Sequence, residues 1–286
     1  MKFPSKKLDI VAMPDMKETA MENWGLITIR REFVVDEENL MTTFSKEMTA
    51  GEIARALAHT WFGNLVTMKW WNEVWLKDGF STFVTNLARY NMDKKTDWLA
   101  LSTVLYWQSA LDNDRSLYTV PLLNTKTTSK DTINSGVVYS KGAMIAKMVM
   151  NTLGPSAFLK GLKLYIRNNM YGNADATDLW QSLSKFGKRL DLKQKMKSWT
   201  DLKSFPIVTL TRLKGPEKDL ILAKQENFLE HRFFDVKANT RAVVKKPKNN
   251  SSFDFQESEK ITGSLWHIPL TYTVQSTAFK EYTVVG

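Results

Sequence analysis

Three rhythms of apolar and polar residues divide this chain. Leu8–Met13 and Trp24–Ile29 are extended apolar runs that predict strands, with Pro14 and Asp15 opening the loop between them. From Lys46 to Phe62 the apolar residues Met48, Ile53, Leu57 and Trp61 recur at helical spacing, and Gly63-Asn64 is a stop signal. A second helix is predicted from Val74 to about Asn91, and it carries Asp78. Trp98 to Trp199 reads as mostly helical, broken at Gly154-Pro155 and again at Tyr171-Gly172-Asn173. After Pro206 the rhythm changes. Ile207–Leu210, Asp219–Ala223 and Leu265–Thr273 are short β-branched runs between Gly, Pro and Asn turns, the pattern of a small β-sandwich. The expected fold is α+β, with a boundary near Phe205: residues 1–205 form a mostly helical domain with a small N-terminal β region, and residues 206–286 form the sandwich.

At 286 residues, 43% hydrophobic and 24% charged, the chain has the composition of a globular protein with ample core. No apolar run reaches the roughly 18–20 residues of a membrane span. Lys6, Lys7, Asp9 and Asp15 interrupt any leader-like apolar segment in the first thirty residues, so neither anchor nor leader is visible and the compartment stays open. The net charge of +10 is spread along the chain with no aromatic-interleaved basic stripe, which speaks against nucleic acid. Lys245-Lys246-Pro247-Lys248 is the one tight basic cluster, and its Pro/Asn/Ser-rich surroundings predict a solvated loop. The absence of cysteine excludes disulfides and thiolate metal sites.

Chemistry-bearing residues concentrate in three segments: Thr19-Ala20-Met21-Glu22-Asn23-Trp24-Gly25, then Arg55-Ala56-Leu57-Ala58-His59-Thr60-Trp61-Phe62-Gly63-Asn64 with Trp75-Leu76-Lys77-Asp78-Gly79-Phe80, then Val138-Tyr139-Ser140-Lys141-Gly142-Ala143. In this order and spacing they resemble the zinc aminopeptidases related to aminopeptidase N: the exopeptidase loop G-A-M-E-N, the H-E-x-x-H-x-W-F-G-N helix, and the segment of the transition-state tyrosine. The resemblance is clear from about Leu8 to Asn173 and weaker beyond. It implies a thermolysin-like catalytic domain followed by a small β-sandwich. The N-terminal β-rich domain and the large C-terminal helical domain of full-length members would then lie outside this chain.

The resemblance also implies roles, and the chain departs from several of them. H-E-x-x-H works because two histidines four apart share a metal while the Glu between them activates water. Here Arg55 stands at the first histidine and Ala56 at the general-base Glu. His59 remains at the second histidine. Asp78 stands at the third ligand, normally Glu, and reaches roughly 1.5 Å less. A guanidinium has no lone pair to donate and stays charged. His59 therefore reads either as a remaining zinc ligand or as a packed histidine bonded to a neighbour, the second being favoured. His231 and His267, in the sandwich region, offer no repair. Ala20, Met21, Glu22 and Asn23 match the segment that holds a substrate's N-terminus. Glu22 is either the carboxylate for the free α-amino group or one paired with a local cation such as Arg55. Thr19, replacing Gly, crowds that segment. Tyr139 matches the tyrosine that stabilises the oxyanion. Asn72 and Glu73 are expected either to support the site or to start a helix at the surface, and Trp24, Trp61, Phe62, Trp70, Trp71, Trp75 and Phe80 to be core.

These readings define an aminopeptidase N-like protein with impaired catalysis, zinc expected of the family but weak or absent here, and peptides with free N-termini or a protein as partners. An active zinc aminopeptidase is the alternative. Arg55 held between Glu22 and Asp78 is the expected replacement for the metal.

Overall fold

The computed structural model describes residues 1–34, 42–92, 95–116, 118–129, 136–187, 190–213, 220–228, 240–244, 255–257, 266–269, 272–273 and 283–284. The chain divides into two compact units, residues 1–113 with 122–193 and residues 114–121 with 194–286.

The first unit opens with a small mixed sheet of β1 (Asp9–Met13), β2 (Ala20–Asn23) and β3 (Leu26–Arg30), in the order β1-β3-β2. β1 runs parallel to β3, and β2 is antiparallel to it with Glu22 opposite Ile27. The Ala-Met-Glu-Asn segment is thus itself a strand, where the sequence suggested only a segment leading into one. The reason is local: Gly25, at φ 78°, closes a tight hairpin that lets residues 20–23 fold back on Leu26–Ile29.

Next comes α1 (Thr43–His59), capped by the Thr42 hydroxyl, which accepts from the Ser45 N–H at 3.0 Å. The helix ends at His59, three residues earlier than its apolar spacing suggested. Trp61 and Phe62 instead belong to a turn in which Asn64 N–H donates to His59 O at 3.0 Å and Gly63 takes φ 128°. β4 (Val66–Met68) then leads through a single 3-10 turn at Trp71–Glu73 into α2 (Trp75–Met92). α3 (Trp98–Ser102), a π-turn at Thr103–Trp107 and α4 (Gln108–Asp114) follow. A second π-turn at Val137–Lys141 runs into α5 (Gly142–Leu153). α6 (Pro155–Asn169) starts with Pro155 in its first turn, the position where a missing N–H costs nothing. β5 (Gly172–Ala174) pairs in parallel with β4, and α7 (Ala176–Ser184) begins with a reciprocal capping box between Asp175 and Asp178.

The core of this unit surrounds α2. Trp75 packs against Phe80 and Trp180, Phe62 stacks on Phe80, and Phe83 meets Phe158 edge-on. α2 and α5 approach so closely that a Cβ on Gly79 would fall 2.8 Å from Gly142 Cα. This contact fixes Asp78, on α2, relative to the π-turn that carries Tyr139. Of the aromatics expected in the core, Trp75, Phe80 and Phe62 are buried, Trp61 and Trp71 are half-buried, and Trp24 and Trp70 are exposed. Trp24 instead meets Tyr171 at the surface.

In the second unit α8 (Leu192–Asp201, from residue 194 on) accompanies an antiparallel meander of β6 (Phe205–Leu213), β7 (Leu220–Phe228), β8 (Thr240–Val244) and β9 (Phe255–Glu257). β10 (Tyr272–Thr273) and β11 (Thr283–Val284) form a separate two-stranded ribbon. The first β-branched run lies within β6, and the described part of the second, residues 220–223, lies within β7. Among its described residues the third holds β10 alone, and residues 266–269 are not extended into a strand. There the Trp199 indole donates to His267 O at 2.7 Å, and the Gln225 side chain bonds both Trp266 N and O. The residues 245–252 of the basic cluster, and His231, lie outside the described residues.

Candidate functional site

The C-terminal turn of α1, the first turn of α2, strand β2 and the π-turn before α5 bring His59, Asp78, Glu22 and Tyr139 into one buried cluster with Arg55 and Lys77. His59 is fully buried. Its Nδ1 lies 3.2 Å from Phe62 O, and its Nε2 lies 3.2 Å from an Arg55 guanidinium nitrogen. A guanidinium can only donate, so Nε2 accepts and the proton resides on Nδ1, which donates to Phe62. Burial, together with the charges of Lys77 and Arg55, lowers the His59 pKa to about 4 against the pull of Glu22. The ring is neutral around pH 7, and its metal-binding lone pair is directed at a cation.

Arg55 is held from its other side by Glu52, one turn back on α1, whose Oε2 accepts from guanidinium nitrogens at 3.2 and 2.6 Å. Burial works against the charged form, and the Glu52 bonds more than offset it. Arg55 does not bridge Glu22 and Asp78. The cation between those carboxylates is Lys77, with Nζ 2.6 Å from Glu22 Oε1 and 3.9 Å from Asp78 Oδ1. The expected three-membered cluster is corrected on this point, and the reason is reach. Glu52 lies on the same helical face as Arg55 at i−3, whereas Lys77 projects from α2 toward β2.

Asp78 Oδ1 stands 3.7 Å from His59 Nε2. Burial raises its pKa, and Lys77 opposes this. The Tyr139 hydroxyl interacts with the Asp78 carboxylate, and burial together with that negative charge keeps the phenol protonated. Glu22 stays below the usual carboxylate range despite its burial, drawn down by His59 and the Lys77 ammonium. Asn64 donates from its side chain to Glu22 O at 3.0 Å, tying β2 to the turn after α1. Ala56 is buried and offers no proton acceptor. Ala20 is buried, Met21 and Glu22 are half-buried and Asn23 is exposed, so burial falls along the strand. Thr19 is half-buried, and its carbonyl accepts from Arg30 N–H at 3.0 Å. Ser81 adds a hydroxyl 3.4 Å from His59 Nε2. Among the described residues, no three His, Asp or Glu side chains converge so as to hold a metal ion.

Glu73 neither supports this cluster nor sits at the surface. It is buried, and its strongest electrostatic neighbours are Asp175 and Lys69. Lys77, Glu52 and Ser81 were missed from the sequence. Glu52 at i−3 from Arg55 was a readable helix pair, but Lys77 beside Asp78 gave no sign of its partner across the fold.

The geometry can now be set beside known proteins. The peptidase family M1 domain matches residues 1–199. The chain is 31% identical to rat (Rattus norvegicus) glutamyl aminopeptidase over 278 residues, 96% of this chain and 26% of that protein. It is similarly 31% identical to Caenorhabditis elegans puromycin-sensitive aminopeptidase over 277 residues, again 96% and 26% of the two chains. Arabidopsis thaliana aminopeptidase M1 is 35% identical over 231 residues, 79% of this chain and 25% of that protein. The chain therefore spans about a quarter of the length of these curated relatives. No helix among the described residues is long and apolar enough to cross a membrane. With the M1 profile running through both halves of the site, from β2 to the turn before α5 and on to α8, this chain is a member of peptidase family M1, the aminopeptidase N-like metallopeptidases.

Proposed function

We propose that this protein is an M1 domain that holds peptide N-termini without hydrolysing them. The observation that carries this reading is the Arg55 guanidinium donating to His59 Nε2 at 3.2 Å. A metal bound by that nitrogen would have to stand on the same lone pair, about 2.0–2.1 Å away. Of the donors left, Asp78 and Glu22 are engaged by Lys77, so a guanidinium and an ammonium stand where a dication would be added. These residues do not fit zinc. Ala56 compounds the change, because a positioned general base contributes roughly 10²–10⁴-fold to such hydrolyses. No hydrolytic step is derived through the metal.

Recognition draws on the remaining elements. β2 is an edge strand of its sheet among the described residues, a surface to which an extended peptide can add. Glu22 projects from it as a carboxylate able to pair with an α-ammonium. In this reading Ala20, Met21 and Asn23 line the peptide and Tyr139 faces its first carbonyl. We further propose the thermolysin-like architecture for residues 1–205 and a β-sandwich for 206–286.

Metal analysis of the purified protein tests the proposal, paired with release of a fluorescent amine from aminoacyl substrates. Substoichiometric zinc and no chelator-sensitive release are expected. Stoichiometric zinc with chelator-sensitive cleavage overturns it and establishes the second reading, an active aminopeptidase, which is favoured by the clustering of Glu22, His59, Asp78 and Tyr139.

A further inference from the structure

The carboxylate best placed to greet a peptide amine already holds one. Lys77 Nζ lies 2.6 Å from Glu22 Oε1, a charge-assisted contact at the short end of its range. Glu22's side chain is only 9% exposed, so little of it is left for a second partner. The ammonium is delivered across Gly63: a Cβ there would stand 2.9 Å from Lys77 Cγ and 3.1 Å from Cδ, and the residue sits at φ 128°. The next residue, Asn64, pins the Glu22 backbone. One turn therefore clears the path for the lysine stem and fixes the strand that carries its acceptor.

We propose that Lys77 is an internal competitor that occupies the Glu22 carboxylate in place of a peptide's N-terminal ammonium, an autoinhibitory contact that peptide must displace. This inference rests on the proposed role of Glu22. An ε-ammonium and an α-ammonium carry the same charge, so Lys77 already neutralises the nearly enclosed Glu22 carboxylate and repels a second ammonium brought to it. The lysine has the advantage of being tethered, whereas a peptide brings strand contacts along β2. The lock therefore lowers affinity for free amines without closing the site, and a ligand whose first residues pair well with β2 can still compete.

Fluorescence anisotropy on the full chain tests this with an alanine-rich pentapeptide carrying a C-terminal fluorophore, and with its N-acetylated twin. Lys77→Ala is expected to bind the free-amine peptide at least ~10-fold tighter than wild type, the scale of one freed charge-assisted hydrogen bond. The acetylated twin should show no such gain, and adding Glu22→Gln to Lys77→Ala should abolish it. Lys77→Asn, which keeps a polar group on α2, serves as the second variant if the alanine form loses its cooperative thermal transition. No gain in either variant, or an equal gain for the acetylated peptide, overturns the lock. Zinc content is measured on the same samples: stoichiometric zinc removes the non-hydrolytic reading whatever the peptide data show, and its absence with unchanged peptide affinity removes the lock alone.

Discussion

Replacing Glu73 by Gln isolates one buried charge and predicts a pH-dependent gain in stability. Glu73 ends the 3-10 turn before α2, is 8% exposed, and has one carboxylate oxygen with no hydrogen-bond partner. Burial, aided by the negative charge of Asp175, raises its pKa from 4.5 to about 7, while the Ala176 backbone and Lys69 pull the other way. The unfolded chain releases this proton near 4.5 and the folded protein near 7, so the folded state binds more protons between those values. Stability is therefore full below 4.5 and lost as pH rises to about 7. At about 1.4 kcal/mol per tenfold in proton affinity the gap corresponds to about 3 kcal/mol. Glu73→Gln keeps the shape and removes the titration. Urea unfolding of both proteins at pH 4.5 and pH 8 should show the variant gaining about 3 kcal/mol on wild type over that interval. His59, whose pKa is depressed to about 4, gives a slope of opposite sign, with stability lost as pH falls below its unfolded value of 6.5. That contribution is common to both proteins and cancels in the difference. Parallel movement of the two urea midpoints with pH would show that Glu73 ionises in the fold without cost, and the burial argument would fail.

Arg55→Met should free His59 Nε2 and raise the His59 pKa above about 4; only three histidines compete for the NMR signals, and an unmoved titration would deny that the guanidinium bears on the ring. Gly79→Ala should cost about 1–3 kcal/mol or more, because the atoms its Cβ meets at 2.8–3.0 Å are backbone and cannot swing away; an unchanged urea midpoint counts against the tight α2–α5 contact. Arg55→His, Ala56→Glu and Asp78→Glu combined with Lys77→Asn should recover stoichiometric zinc by metal analysis, and a folded, zinc-free quadruple variant would show that more than these side chains has changed.

The helices and the change to β structure after residue 205 were readable because each rests on a local signal: apolar spacing along α1, Gly154-Pro155 between α5 and α6, β-branched runs in β6 and β7. The hairpin of β2 was not, since four residues ending in Glu-Asn carry little strand signal and form one only through pairing with β3. In the site, His59, Asp78, Glu22 and Tyr139 could be named from short motifs, each fixed by its own segment. Which cation meets which carboxylate could not. That choice depends on side chains from separate elements meeting in space, and the nearer acceptor on α1, Glu52, claimed Arg55 first. Glu73 was misread for a related reason: the Ala176 backbone and the Asp175 carboxylate that bear on it lie about a hundred residues along the chain.

The paired cations give the cluster its chemical logic. A site built for a dication and surrounded by Glu22 and Asp78 would be unstable if the metal were merely lost, because buried carboxylates without a counter-charge repel one another and pay heavily for desolvation. One arginine does not repair this here, since Arg55 is balanced by Glu52 and spends a donor on His59. The second positive charge comes from a different helix, with Lys77 reaching both remaining carboxylates. The two cations act at different places: Arg55, balanced by Glu52, stands against the histidine lone pair, and Lys77 stands against the carboxylates. The division has a functional edge. A metal polarises a carbonyl and a water at one point, whereas separated ammonium and guanidinium groups neutralise acids without offering an open coordination position. On the proposed non-hydrolytic reading, changing Arg55 alone leaves Lys77 still holding Glu22 and Asp78, so metal binding is expected only when both helices are altered together.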